Sequence, residues 1–432
     1  MSTQATGSPV TARRASGVQL HVTSLPGGRL GAPAREFVDW LAEAGQSVWQ
    51  VLPVTIPDRH GSPYKSPSAF AASPGLLEHP DAEVSPDELE DFAERQAYWA
   101  GSWTAFGGDL ADQVRFEREW TALRDYGRAR GIRLMGDVPI YVAPDGADER
   151  AWPEFFRSDA VAGVPPDAYA AEGQLWGNPL YRWDALAADG YRWWTERLRR
   201  TFDLFDLVRV DHFRGFSAFW AVPAEAETAL EGRWEPGPGR SVFDAAAAEL
   251  GPLPVLAEDL GDIDEPVNEL RRALGFPGMA VLQFAFDPGY EVNTHDPDHH
   301  EVNQVVYTGT HDNDTVCGWW ADLPEHRRER ARAECASRGI AVDIDQEPSW
   351  ALIELAFAAP CGLAMTQAQD VLSLGSEGRM NAPGTEGGWR WQLEPGALTT
   401  DLAQRLRAVT ALNGRHPGDA DRSPSARAVP GT

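Results

Sequence analysis

The chain reads as an α/β protein, a (β/α)8 TIM barrel with subdomains inserted after strands 2 and 3. Two observations predict it. Eight short apolar runs, each ending in turn or polar residues, alternate with segments of helical periodicity. Three acidic stations lie just after such runs, 47 and 54 residues apart: Asp211 in "VRVDHFRG", Glu258 in "VLAEDLG" and Asp312 in "YTGTHDND". One or two βα units fill each gap, so the three carboxylates would crown one mouth of a parallel barrel.

The strands are predicted at 18–22 ("VQLHV"), 48–52 ("VWQVL"), 133–138 ("RLMGDV") and 206–210 ("DLVRV"). The remaining four are predicted at 253–257 ("LPVLA"), 279–284 ("MAVLQF"), 304–308 ("QVVYT") and 362–366 ("GLAMT"). Between them, the run 35–45 puts Phe37, Trp40, Leu41 and Ala44 on one helical face and stops at Gly45. In 112–130, Phe116, Trp120 and Leu123 share a face and Gly131 ends it; in 191–205, Tyr191, Trp194, Leu198, Phe202 and Phe205 trace a stripe. An open doubly wound sheet is the alternative, but no Gly-rich phosphate turn opens a helix. Two connections, about 53–110 and 139–190, are too long for simple loops and are read as subdomains walling a cleft. The catalytic barrel is expected over 17–413, with disordered tails at 1–16 and 414–432, the latter rich in Pro, Ser, Gly and charge.

Composition narrows the function. Of 432 residues, 65 are acidic and 38 are Lys or Arg, a net charge of −27 whose field opposes nucleic acid and anionic membranes. A neutral polymer meets no such repulsion. Cys317, Cys335 and Cys361 have neither disulfide nor zinc spacing, and no stretch matches a secretory signal or membrane span, so a soluble cytoplasmic protein is expected. Seventeen Trp are present, several beside Gly, Asn and Pro; such an indole either stacks on a sugar ring or fills a large core.

The stations suit glycosidic-bond chemistry. Strand alternation puts Arg209 on the same side as Asp211, where a guanidinium would keep the carboxylate ionised as a nucleophile requires. The alternative is a plain buried ion pair. Glu258 ends an apolar strand, where poor solvation would raise its pKa and let it donate a proton. Asp259 points the other way and reads as a helix-capping acid. His311 and Asp312 suit bidentate hydrogen bonding to sugar hydroxyls; a metal site of His311, Asp312 and Asp314 lacks a second His cluster. Asp137 is either a fourth inward acid or an orienter of Arg209. Carboxylates on adjacent strand ends favour the shorter separation, about 5.5 Å, of retaining chemistry.

At these residues the chain resembles the amylomaltases, the 4-α-glucanotransferases of glycoside hydrolase family 77, relatives of the α-amylases. The similarity spans roughly 17–413 and includes "SPYKSPSAFAASPGLL", "GDVPIYVA", "GQLWGNPLYRW", "VRVDHFRGFSAFWAVPA", "VLAEDLG", "VVYTGTHDNDT" and "QDVLSLGSEGRMNAPG". The resemblance implies Asp211 as nucleophile, Glu258 as acid/base and Asp312 as transition-state stabiliser, with Arg209 and His311 lining the same sugar site. It implies Tyr64, Asp167, Trp176, Asn178, Trp220 and Asn381 as donor or acceptor contacts, α-1,4-glucans and maltooligosaccharides as substrates, and no cofactor or metal. Departures are Lys65, Pro67 and Ser73, where Gln, Phe and Asn are usual, and a segment at about 78–110 shorter than the family's helical insertion. A more open acceptor side would admit water, so an α-glucan hydrolase and a glucan-binding protein without turnover stand as alternatives.

Overall fold

The computed structural model describes residues 8–166, 170–286, 293–385 and 387–418. The barrel strands are Ala15–Gln19 (β1), Val48–Gln50 (β2), Arg133–Val138 (β3), Leu207–Val210 (β4), Val255–Ala257 (β5), Gly278–Val281 (β6), Gln304–Tyr307 (β7) and Leu363–Gln367 (β8). They pair in parallel in the order β6-β7-β8-β1-β2-β3-β4-β5. The remaining gap is bridged by the Ala257 N–H donating to Pro277 O at 3.0 Å and the Met279 N–H donating to Asp259 Oδ1 at 2.7 Å.

Two predicted strands are displaced. The first lies at Ala15–Gln19 rather than 18–22, because Ala15 already pairs with Leu363 and the chain turns into a 3-10 helix at Val22–Ser24. Ser16 and Gly17 conceal its start: Gly17 is needed because a Cβ there would meet Val48 O at 2.4 Å. The sixth stops at Val281, since Leu282–Ala285 form a helical turn.

Alternation gives the barrel interior two halves. Ala15, Val48, Met135, Leu207, Leu256, Met279, Val305 and Leu363 join Val281, Tyr307 and Met365 in one apolar cluster. Farther along the same strand faces come the buried polar side chains Gln19, Gln50, Asp137, Arg209 and Gln367. A polar floor therefore underlies the mouth where the stations lie.

The predicted helices occur as Ala32–Glu43, Leu110–Arg128 and Arg192–Leu204, with Phe37, Trp40, Leu41, Phe116, Trp120, Leu123, Trp194 and Leu198 buried. Trp49, Trp120, Trp193, Trp194 and Trp350 fill the core, whereas Trp176, Trp220 and Trp389 are half-buried. The connection after β2 holds helices Pro86–Arg95 and Ala97–Phe106, the former started by a Ser85/Glu88 capping box. The connection after β3 holds the antiparallel pair Phe156–Val164 and Gln174–Tyr181. A third excursion, after β4, was not anticipated: Ala218–Pro223 and Arg233–Pro236 extend that pair into a four-stranded sheet.

Parts of the segments expected as tails are folded. Val10 is buried, and the Arg14 Nε donates to Asn413 O at 2.9 Å. Arg415 is fully buried, donating to Phe357 O at 2.7 Å and to Ala15 O and Ala359 O at 2.8 Å each. Residues 8–16 and 414–418 thus belong to the folded body; 1–7 and 419–432 lie outside the described residues.

Candidate active site

Asp211 and Glu258 each stand one residue past a register pair, Val210 and Ala257 of β4 and β5. Neighbouring strands run about 4.8 Å apart, so the two acids rise side by side. The Asp211 N–H donates to Val138 O at 2.9 Å and the Glu258 N–H to Val210 O at 3.0 Å, continuing the ladders to the base of both side chains. His212 then takes the left-handed conformation, φ 49°, and its N–H donates to Glu258 Oε2 at 2.6 Å. The Leu260 N–H donates to the other oxygen at 2.9 Å. The Glu258 carboxyl is thereby fixed against the peptide that follows Asp211.

Arg209 lies inward, as the strand period requires. It bonds Asp211 Oδ1 at 2.8 Å through Nη2 and Asp137 Oδ2 at 2.6 Å through Nη1. The Tyr64 hydroxyl donates to the same Asp137 oxygen at 2.9 Å. Both readings of Asp137 therefore hold: it is an inward acid, and it orients Arg209. Asp259 is not a helix cap. Its carboxylate binds the Met279 N–H and Arg271, while Asp264 caps the helix Glu265–Leu274.

The electrostatics correct one expectation. Burial raises the Asp211 pKa, and the guanidinium beside it only opposes that rise. Burial, reinforced by the Asp211 charge and opposed by Arg209, raises Glu258 to about 8. Asp211 has the direct ion pair and a side chain 26% exposed. Among the described residues, Glu258 has only backbone donors. With three carboxylates around one guanidinium, full ionisation is unfavourable, and Glu258 is the better seat for a shared proton than Asp211.

His311 is buried and its pKa falls to about 4, chiefly by desolvation, so the ring is neutral. Its Nε2 lies 3.3 Å from Asp312 Oδ2, and Asn381 Nδ2 donates to Asp312 Oδ1 at 2.7 Å. The Asp312 side chain is 45% exposed, open to the cleft. Tyr64 stacks on the His311 ring at 5.2 Å. Asp314 turns to Ser376 and Arg379, and no group of potential metal ligands forms among the described residues.

The other expected contacts divide. The Trp176 ring meets His212 edge-on at 4.8 Å, and its carbonyl accepts from Lys65 Nζ at 2.9 Å, so this departure braces the hairpin. Asn178 is buried with its Nδ2 committed to Val142 O at 2.8 Å, a scaffold bond. Trp220 donates to Ala229 O at 2.9 Å and packs on Trp234 at 5.3 Å, within the antiparallel sheet. Asp167 lies outside the described residues. Sequence reasoning missed His212 and Trp389; nothing in the letters signals a left-handed backbone at either.

A family profile described as 4-alpha-glucanotransferase, glycoside hydrolase 77, matches residues 20–107 and 109–399. The chain is 40% identical over 497 positions to the 4-alpha-glucanotransferase of Thermus thermophilus, covering 93% of this chain and 99% of that one. It is 38% identical over 505 positions to the chloroplastic/amyloplastic 4-alpha-glucanotransferase of Solanum tuberosum, covering 93% and 87%. Both alignments are longer than this 432-residue chain, so those relatives carry segments absent here. An amylomaltase from Streptococcus agalactiae, solved in complex with acarbose, superposes with TM-score 0.86 at 29% identity, covering 94% of this chain and all of that one. An alpha-amylase from Geobacillus thermoleovorans shares the fold at TM-score 0.54 and 11% identity. Similarity of this extent, over the strands that bear the paired acids, shows that the chain belongs to the glycoside hydrolase 77 family of 4-alpha-glucanotransferases.

Proposed function

We propose that this 4-alpha-glucanotransferase moves a segment of an α-1,4-glucan to the 4-hydroxyl of an acceptor glucan or glucose by retaining double displacement. The observation that carries this mechanism is the side-by-side placement of Asp211 and Glu258 in opposite electrostatic settings. Asp211 attacks the anomeric carbon; the C1–O4 bond breaks, and the departing oxygen takes the Glu258 proton. An acceptor hydroxyl then bonds C1, the Asp211 ester bond breaks, and the hydroxyl proton returns to Glu258. Asp312, held from behind by His311 and Asn381, grips hydroxyls of the sugar being transferred. Tyr64 acts through Asp137 and Arg209 to position the nucleophile, Trp176 and Trp220 serve as glucan contacts of the wider cleft, and Asn178 supports its wall through Val142.

Maltooligosaccharides are the proposed substrates. The net charge of −27 supports a neutral polymer over nucleic acid or an anionic membrane, and no helix among the described residues is long and apolar enough to cross a membrane. The free Cys317, Cys335 and Cys361 support a reducing, cytoplasmic setting. A hydrolase is the second reading, favoured by the segments this chain lacks. Incubating the purified protein with maltotriose separates the readings. Longer oligosaccharides with glucose indicate transfer, glucose and maltose without elongation indicate hydrolysis, and unchanged maltotriose contradicts both.

A further inference from the structure

The segment following β8 is tied down on two sides of the barrel mouth. On one side Asn381 and Arg379 bond the side chain and carbonyl of Asp312, at 2.7 Å and 3.1 Å. On the other, Gln392 Nε2 donates to Thr23 O at 3.1 Å and the Leu393 N–H to Ser24 O at 2.8 Å, just beyond β1. Between these ties lies Trp389, with φ 68°, a conformation that a bulky aromatic residue adopts only when its surroundings impose it. Its N–H donates to Met380 O at 2.6 Å and locks it there. The ring that this backbone presents lies 5.8 Å from both Tyr64 and His311. A Cβ added at Gly61 in the β2 connection would come within 3.4 Å of the Trp389 Cβ, so the two segments approach closely there. Trp389 is therefore a point where the strap meets the β2 insertion, beside Tyr64, which bonds the Asp137 that orients Arg209, and His311, which lies against Asp312.

We infer that Trp389 sets the ratio of glucan transfer to hydrolysis, by holding water away from the glycosyl-enzyme formed on Asp211. The inference rests on the double-displacement reading. In both fates of that intermediate the C1–Oδ bond to Asp211 breaks, the incoming oxygen bonds C1, and its proton passes to Glu258. Only the group behind the oxygen differs, a sugar or a hydrogen atom. A sugar acceptor is held by the cleft, whereas water needs only a gap. Asp211 and Asp312 both touch solvent, with side chains 26% and 45% exposed, so a fixed indole at the rim closes space that would otherwise be wet.

The test uses the full chain and maltotriose, reading new reducing ends, which only hydrolysis creates, against elongated products, which only transfer creates. The ratio is taken within each variant, so a change in total turnover does not enter it. Trp389→Ala should raise the hydrolytic share several-fold, and Trp389→Phe should restore an intermediate share. Trp389→Leu and Trp389→Phe carry the comparison should alanine impair folding, monitored by thermal unfolding. A folded variant with lower turnover but the wild-type share would overturn this inference alone. A wild-type protein that makes no elongated product would overturn the transfer reading and this inference together.

Discussion

The pH dependence of the first chemical step follows from the placement of Glu258. Its carboxyl is crowded by Asp211, has no direct cation partner among the described residues, and is raised by burial to about 8. A raised acid is protonated below that value and loses its proton above it, so the donor is present at neutrality and lost in mild alkali. With a titration centred there, kcat/KM on maltotriose should fall about tenfold between pH 7 and pH 9, and about tenfold for each further unit. Initial rates from about pH 5 to about pH 10 at fixed ionic strength provide the assay, run beside α-glucosyl fluoride, whose leaving group needs no proton. The fluoride profile should lack the alkaline fall in its glycosylation step. Glu258→Gln should lose maltotriose turnover while still releasing fluoride. A wild-type maltotriose profile flat to the alkaline end would refute the assignment, as would equal loss on both donors in the variant.

Three further outcomes are expected. Asp211→Asn should reduce turnover by at least about a thousandfold with the unfolding midpoint retained, checked by product release and circular dichroism; retention of more than a few per cent of wild-type turnover would exclude the nucleophile role. Tyr64→Phe removes one donor from the buried Asp137 while keeping the stack on His311, and should lower kcat by about tenfold with little change in KM, as expected for one lost hydrogen bond near the reacting centre. Arg415→Ala removes a buried donor from each of Ala15 O, Phe357 O and Ala359 O, of which Phe357 O keeps the Arg14 Nη2 bond, and should cost about 3 kcal/mol in urea-unfolding measurements.

The barrel and its acids were legible because their signals are local. An apolar run ending in Asp or Glu reads as a strand end, and alternation alone places Arg209 beside Asp211. Register was not legible, because it depends on which strand pairs with which; Ser16 and Gly17 look like a turn until Gly17 is seen to make room for β2. The third excursion escaped because "AFWAVP" and "RWEP" are short, Pro-bounded strands that gain stability only from the neighbouring hairpin. Asp259 was misread because the helix it was assigned to cap begins later, behind Asp264. The left-handed His212 and Trp389 leave no trace in composition, since each is held by a tertiary contact, His212 by Glu258 and Trp389 by the Met380 carbonyl. The upward shift of Asp211 was hidden for a related reason: the sequence shows the guanidinium, but not how thoroughly the fold removes water.

The clasp formed by Arg415 has a consequence for biogenesis. The opening strand finds one neighbour in residues 363–367, and its first carbonyl waits for a side chain at position 415. At ribosomal speeds of about 5–20 residues per second, roughly 20 to 70 seconds separate synthesis of those two strands. Throughout that interval the growing sheet has an open flank, a template for association with other nascent chains. Ring closure thus waits for residues 363–367, and a product terminated before them lacks the means to complete it.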